Sequence, residues 1–305
     1  MARMTIERLR HLVDAHRKVR LARIVVLAVV IGIGIGDLYW AVTQWHMTDA
    51  AAYWQAAERL RHGETLYPAV VDVESSDVYR YAPWFAWLTV PFTYLPQVIA
   101  GLIWSAILVV ASCLAVRPLV ERRAWLQVAF FWPILIGSSA NGNAHALLIA
   151  LLVLGVEHRT GPLWIAVSAS LKAVPILFVL VYIARREWLK AFLTCALTAL
   201  LVAPMLLYDL SHYVTSPGFA GLLIGLPGVY VVAVAVLAAV TLWLGRSRWS
   251  WLAAAVTVAM ALPRFFVYDV TYLQVAMPLR SAGEAQEAES RAPISATRRA
   301  EGNVP

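Results

Sequence analysis

Long apolar runs separated by short polar turns occupy most of the chain, at residues 24–45, 84–117, 125–157, 163–184, 189–207, 219–245, 249–262 and 265–279. A helix needs roughly 20 mostly apolar residues to cross a bilayer. Two runs, 84–117 and 125–157, are too long for one span, and each contains a break, at Leu95-Pro96-Gln97 and at residues 138–143. Division at these breaks predicts an all-α, polytopic integral membrane protein with about 9–10 transmembrane or re-entrant helices between residues 24 and 279.

Residues 46–83 form the one long polar stretch between two apolar runs. Within it Asp49, Tyr53, Ala57 and Leu60 recur at the spacing of one helix face. This pattern predicts a long first loop outside the membrane that contains short amphipathic helices. Asp49, at the start of the first of them, is either an ordinary helix N-cap or a catalytic base, and the pattern alone favours the cap.

Basic residues give the orientation. Residues 1–23 are strongly basic and precede an apolar run that is longer than a signal peptide requires, so they predict a cytoplasmic N-terminal segment and an extracytoplasmic 46–83 loop. The turns at Arg185/Arg186 and Arg246/Arg248 then face the cytoplasm. The basic turn at 117–123 falls outside, against the positive-inside rule, so one short segment could be re-entrant. Residues 280–305 have no periodicity and predict a disordered cytoplasmic tail.

Composition excludes several classes of protein. With 61% hydrophobic and 14% charged residues, the chain is far from an ordinary soluble domain. The net charge of +7 resides in the N-terminal segment and the turns, so it predicts membrane orientation and no nucleic-acid partner. Cys113 and Cys195 lie in apolar runs without metal-ligand spacing. No phosphate-binding glycine loop, dinucleotide fingerprint or paired-aspartate motif occurs, so neither a metal nor a bound cofactor is expected.

Three polar groups interrupt the apolar runs, where a charge is costly unless it faces a cavity or a partner. They are Lys172 in the middle of 163–184, the set Asn141, Asn143 and His145 at a glycine-bearing break, and Arg264 with Asp269 around an aromatic run. Each also has a structural interpretation. Lys172 could snorkel or form a structural ion pair, the Asn-Gly-Asn break could be a turn, His145 could be a packing histidine, and Arg264 with Asp269 could close a helix end.

The order of motifs resembles glycosyltransferase family 87, the polyprenol-phosphate-dependent mannosyltransferases of the GT-C superfamily. The first loop is similar in its Asp49-x3-Tyr53-x3-Ala57 helix, its Gly63-x2-Leu66-Tyr67 turn and its Tyr79-x-Tyr81-x-Pro83 entry to the next run. Downstream, Gly142-Asn143-Ala144-His145-Ala146-Leu147 resembles the family's Gly-Gln-x-Asn-x-Leu, and Leu171-Lys172-Ala173-Val174-Pro175 its Leu-Lys-x-x-Pro. Pro263-x4-Tyr268-Asp269 stands where many members have Pro-x4-His-His and others Tyr-Asp.

The resemblance implies a GT-C fold in a bacterial-type plasma membrane and inverting transfer of a sugar, with mannose expected from this family, on the outer face. A polyprenyl-phosphate sugar would be the donor, and a hydroxyl of a cell-envelope glycan or glycolipid the acceptor. Asp49 corresponds to the base. The candidate donor or lipid-phosphate ligands are Lys172, Arg80, Arg264, His145 and Asn143, and the candidate acceptor or pocket residues are Tyr53, Tyr67, Tyr81, Tyr268 and Asp269.

Two other functions remain open at this point. Broken helices with polar groups at mid-membrane also describe lipid or glycolipid transporters. The replacement of the family's Gln and Asn by Asn143 and His145 also leaves room for a non-catalytic homologue that binds a lipid-linked sugar.

Overall fold

The computed structural model describes residues 2–44, 47–70, 78–213, 226–247, 249–262 and 265–277, and all regular structure within these ranges is helical. Four described segments are long and apolar enough to cross a membrane, namely Arg23–Thr43, Gln97–Glu121, Trp188–Leu207 and Pro227–Leu244. Shorter apolar helices lie among them. The protein is therefore an all-α, multi-pass membrane protein, as the spacing of the apolar runs predicts.

The α-helices, in chain order, are α1 (Ala2–Thr43), α2 (Thr48–His62), α3 (Pro83–Thr89), α4 (Gln97–Glu121), α5 (Trp125–Ala140), α6 (His145–Gly155), α7 (Gly161–Leu171), α8 (Val179–Ala184), α9 (Trp188–Val202), α10 (Pro227–Leu244) and α11 (Trp249–Met260). Four 3-10 segments complete them: Val90–Tyr94, Val174–Phe178, Ala203–Leu207 and Val267–Ala276. The first three each have proline at the second position, where the missing N–H and the ring disfavour a continuing α-helix.

The apolar run 163–184 is two antiparallel pieces and not one helix. Helix α7 ends at Leu171, and Lys172 is extended, with φ −131° and ψ 110°. The chain then returns, because the Tyr182 hydroxyl donates a hydrogen bond of 2.6 Å to the carbonyl of Val156, just before α7. Lys172 therefore lies at the tip of a hairpin inside an otherwise apolar bundle.

The segment 83–94 does not cross the bundle. The indole N–H of Trp54 in α2 lies 3.2 Å from the carbonyl oxygen of Phe92 and 3.3 Å from that of Leu95. These contacts keep the end of the segment beside α2, and its start is also held there, because the ring centres of Tyr53 and Phe85 lie 5.0 Å apart. The interpretation of 84–117 as two spans is therefore wrong, because only Gln97–Glu121 is a crossing helix; hydropathy alone does not distinguish a crossing segment from one held across the end of a bundle.

The basic turns gather at one end of the bundle, which we name the basic end. The Arg23 guanidinium lies 4.9 Å from the centre of the Trp125 ring, and Arg122 donates a hydrogen bond of 3.1 Å to the carbonyl of Met277. Helix α6 follows α5 through the short turn at 141–144 and returns toward this end. There Glu157, just after α6, lies 3.7 Å from Arg185. The turn at 117–123 and the turn at 185–186 thus lie at the same end, and the expectation that they lie on opposite sides is wrong.

The opposite end, which we name the site end, carries the α1–α2 and α5–α6 connections, the tip at Lys172 and the segment 208–213. Helix α2 packs over it together with α3. Several predicted features lie outside the described residues: Arg248, Arg264, part of the first loop at 71–77, the start of the run 219–245, and the 280–305 tail.

Single cysteines can test the grouping of turns, after replacement of Cys113 and Cys195 by serine. We expect Glu121→Cys and Arg159→Cys to react with a membrane-impermeant thiol reagent from the same side of the membrane, and Glu64→Cys from the opposite side, because all three parent residues are exposed. Labelling of sealed, oriented vesicles before and after permeabilisation measures this. Reaction of Glu121→Cys from the Glu64 side would contradict the described topology.

Candidate active site

The start of α2 is held by the turn between α5 and α6. The N-cap of α2 is Met47, in the left-handed conformation and without a side-chain cap, and Asp49 lies in the first turn. The Asp49 carboxylate accepts a hydrogen bond of 2.7 Å from the amide of Asn141, and the Asn141 carbonyl accepts the N–H of Ala50 at 3.4 Å. The N-cap interpretation of Asp49 is therefore wrong: its side chain leaves its own helix and contacts the break at 141–143.

The Asp49 carboxylate is half-buried among amide donors and cations. Burial raises its pKa from the ordinary carboxyl value, whereas a hydrogen bond from Asn143, the charge of Lys172, the hydrogen bond from Asn141 and the charge of Arg80 each oppose that rise. These influences place Lys172 and Arg80 close enough to act on Asp49. The amide donors and the cations thus favour the ionised form of the Asp49 carboxylate against the effect of burial.

The ammonium group of Lys172 contacts three side chains at the hairpin tip. Its Nζ lies 3.3 Å from Nδ1 of His145, 3.7 Å from Oδ1 of Asp269 and 4.6 Å from the centre of the Tyr268 ring. The Lys172 side chain is 17% exposed, so a ligand can reach it. Lys172 therefore does not snorkel, and the carboxylate of Asp269 balances its charge.

Asp269 and His145 lie deeper than Lys172. Both are buried, and Oδ2 of Asp269 accepts the backbone N–H of Phe266 at 2.8 Å. Its other oxygen, Oδ1, lies near Lys172 and has no hydrogen-bond partner within the described ranges. The predicted pairing of Asp269 with Arg264 falls outside the described residues, and the described cation beside Asp269 is Lys172.

Tyrosine hydroxyls fix the backbone that carries Arg80. Three successive carbonyl groups, of Arg80, Tyr81 and Ala82, accept hydrogen bonds from Tyr213 at 3.1 Å, Tyr67 at 2.8 Å and Tyr79 at 2.8 Å. The donors come from the first loop and from the segment after α9. This triple contact restrains the direction in which the Arg80 side chain leaves the backbone.

A pair of tyrosines, Tyr53 and Tyr81, joins the first loop to the start of α6. The Tyr53 hydroxyl donates to the Tyr81 hydroxyl at 3.0 Å and accepts the backbone N–H of Ala144 at 3.3 Å. Burial raises the pKa of both tyrosines, and the nearby Asp49 charge adds to that rise. Both remain neutral phenols at neutral pH and can offer hydroxyl groups or ring faces to a sugar.

The structure thus brings most of the predicted residues into one cluster at the site end. The members are Asp49, Tyr53, Arg80, Tyr81, Asn143, His145, Lys172, Tyr268 and Asp269. Tyr67 lies one layer behind, where its hydroxyl holds the Tyr81 carbonyl. Arg264 is not among the described residues. The catalytic and binding roles of all of them stay predictions.

Three further residues complete the cluster, and sequence patterns gave little sign of two of them. Asn141 lies in the break at 138–143, but no sequence pattern predicts its contact with Asp49. Thr271, which contacts His145 at 2.8 Å, and Tyr213 belong to no motif, because their roles depend on contacts between distant parts of the chain. In the part of the chain that the structure describes, no group of three or more His, Cys, Asp and Glu side chains could hold a metal ion.

The comparisons with known proteins agree with this picture. The family model of glycosyltransferase family 87 matches residues 79–215 and supports the family that the motifs resemble. The matched range contains Arg80, Asn143, His145 and Lys172, whereas Asp49 precedes it. No curated protein and no solved structure matches the chain.

Gly142 tests the joint between α2 and the α5–α6 turn. It has φ +82°, and a Cβ there would lie 2.5 Å from the Cβ and 2.8 Å from the backbone N of Ala50. The left-handed conformation alone costs a non-glycine residue about 1–2 kcal/mol. We expect Gly142→Ala to lower the thermal unfolding temperature of the detergent-solubilised protein and to reduce its activity by displacing Asn141 from Asp49.

Gly228→Ala is the matched control, because a Cβ at Gly228 meets nothing within 4 Å. Equal unfolding temperatures for the two variants would show that the α2 joint is looser than described.

Proposed function

We propose that this protein, a membrane glycosyltransferase by its family match, transfers mannose from a polyprenyl-phosphate carrier to a hydroxyl group of a cell-envelope glycan or glycolipid. The observation that carries the proposal is the meeting of Asp49 with Lys172 and Arg80 at one end of a membrane-embedded bundle. A base and a cation within reach of each other are what sugar transfer from a lipid phosphate requires.

Asp49 is the proposed general base. The acceptor hydroxyl loses its proton to the Asp49 carboxylate as its oxygen bonds to the anomeric carbon. The bond from that carbon to the phosphate oxygen breaks on the opposite face, so the transfer inverts the configuration. Asn141 and Asn143 donate hydrogen bonds that orient the carboxylate.

Lys172 and Arg80 are the proposed cations for the leaving group. The electron pair of the broken bond stays on the polyprenyl phosphate, whose charge increases as it leaves. Fixed positive charges in a poorly solvated site stabilise such developing charge strongly. Arg264 remains a further candidate cation. Tyr53, Tyr81 and Tyr268 would face the sugar or the acceptor. The reaction requires no cofactor beyond the donor.

The distribution of arginines supports an outward-facing site. The described turns of the basic end carry Arg122 and Arg123, Arg159, Arg185 and Arg186, and Arg246. Positive residues in short loops favour the cytoplasmic side. With the basic end and the N-terminus in the cytoplasm of a bacterial-type plasma membrane, the site end with Asp49 faces outward, where the acceptor glycan is built.

Replacement of the base is the central test. We expect Asp49→Asn to lower the transfer rate from polyprenyl-phosphate mannose by roughly 10²–10⁴-fold, the usual contribution of a general base, with donor binding retained. Product formation in proteoliposomes and donor binding are measured on the same preparation. Asp209→Asn, at an exposed carboxylate of the segment after α9, is the matched control and should keep the wild-type rate.

The same preparation separates the alternatives. A wild-type rate for Asp49→Asn would contradict the base assignment. Movement of labelled lipid across the vesicle membrane without glycosidic product would favour a transporter. Donor binding without product from any acceptor would favour a non-catalytic homologue.

The pH dependence of transfer gives a second prediction. Because burial raises the pKa of Asp49, the base form should be lost at a pH above the ordinary carboxyl value as the solution is acidified. Asn141→Ala removes a hydrogen bond to the ionised form, which raises the pKa further and should move the acidic limb of the kcat/KM profile to higher pH. An acidic limb at the same pH as in the wild type, or at a lower pH, would show that another group controls it.

A further inference from the structure

Both ring nitrogens of the buried His145 are engaged. Its Nε2 lies 2.8 Å from the hydroxyl oxygen of Thr271, and its Nδ1 lies 3.3 Å from Nζ of Lys172. The ring also packs against Tyr268 and Tyr272, with ring centres 4.9 and 5.0 Å away. The imidazole is thus fixed in position, and its function depends on which nitrogen carries the hydrogen.

The direction of the hydrogen bonds follows from the chemistry of the partners. An ammonium group has only donors, so Lys172 donates and Nδ1 of His145 accepts. Nε2 then carries the hydrogen and donates it to the Thr271 hydroxyl. That hydroxyl donates its own hydrogen to the carbonyl of Tyr268 at 2.7 Å. With this direction, each donor in the series of hydrogen bonds from Lys172 through His145 and Thr271 has an acceptor, and the series ends at the carbonyl of Tyr268.

The reverse arrangement is unfavourable. A hydrogen on Nδ1 would point at the Lys172 ammonium, and a doubly protonated ring would add a second positive charge beside it. Among the described residues, the carboxylate that contacts both groups is Asp269, whose Oδ1 lies 3.7 Å from Lys172 Nζ and 3.9 Å from His145 Nδ1. A single carboxylate balances one positive charge. Lys172 lies closer to Asp269 than His145 does and is more exposed, so the positive charge is on Lys172 and the His145 ring is neutral.

We infer that Thr271 and His145 are positioning residues for Lys172: the Thr271 hydroxyl keeps His145 in its neutral Nε2–H form, and Nδ1 then directs the ammonium group toward the site. His145 consequently acts neither as a base nor as a direct phosphate ligand. Its lone pair is occupied by Lys172, and its hydrogen is occupied by Thr271. The positioning role rests on the proposed function of Lys172, whereas the form of the ring does not.

Nitrogen NMR of the whole protein in lipid nanodiscs, labelled with 15N-histidine, reads the ring directly. The signal of His145 is assigned by its loss in His145→Asn. We expect one protonated and one unprotonated ring nitrogen, with the proton on Nε2, throughout the neutral pH range. A proton on Nδ1, or on both nitrogens, would overturn the inference whether or not Asp49→Asn abolishes transfer.

Kinetics then test the positioning role. We expect Thr271→Val to move the proton of His145 or broaden its signal, and to raise the KM for polyprenyl-phosphate mannose about tenfold, with Thr271→Ser restoring most of the loss. Thr257→Val is the matched control, because Thr257 is equally buried and its hydroxyl contacts groups outside the cluster. A Thr271→Val variant with the wild-type ring form and the wild-type KM would overturn the positioning role, and the wild-type spectrum remains a test if that variant fails to fold.

Discussion

The structure depends on the burial of a lysine ammonium in an apolar helical bundle. A charge in this setting is tolerated when a partner of opposite charge and hydrogen-bond acceptors surround it. Lys172 obtains these from two elements: Asp269 and the ring face of Tyr268 on the last 3-10 helix, and Nδ1 of His145 at the start of α6. Removal of any of them would leave the others incompletely paired, so the three breaks in the apolar runs are energetically linked.

Short helices place these breaks part-way along the bundle and not at the ends of full-length spans. Helices α6 and α7 have 11 residues each, which at 1.5 Å per residue is about 16 Å, roughly half the hydrocarbon thickness. Irregular backbone at such depth is tolerated only where protein covers it or a polar cavity accepts it. Here α2 and α3 cover the breaks from the site end. The α2 cover is also the element that carries Asp49, so the same packing shields the backbone and supplies the carboxylate.

Much of this could be predicted from the sequence, because a polar residue in an apolar run is stable only where it faces a cavity or a polar partner. This reasoning predicts Lys172, Asn143, His145 and Asp269 as site residues, and helical spacing predicts α2. The non-crossing segment 83–94 was missed because its composition equals that of a span; the indole of Trp54 decides its place through long-range hydrogen bonds. Thr271 and Tyr213 were missed for the same reason, since no local pattern encodes a contact between distant segments.

The electrostatics of the cluster link donor binding to the strength of the base. Lys172 and Arg80 oppose the rise that burial causes in the pKa of Asp49. Under the proposed function, the same two cations bind the donor phosphate, and its negative charge offsets their effect on Asp49. The carboxylate then becomes more basic when the donor is present and remains weaker when it is absent. Such coupling would favour proton removal from the acceptor only in the complex that can complete the transfer.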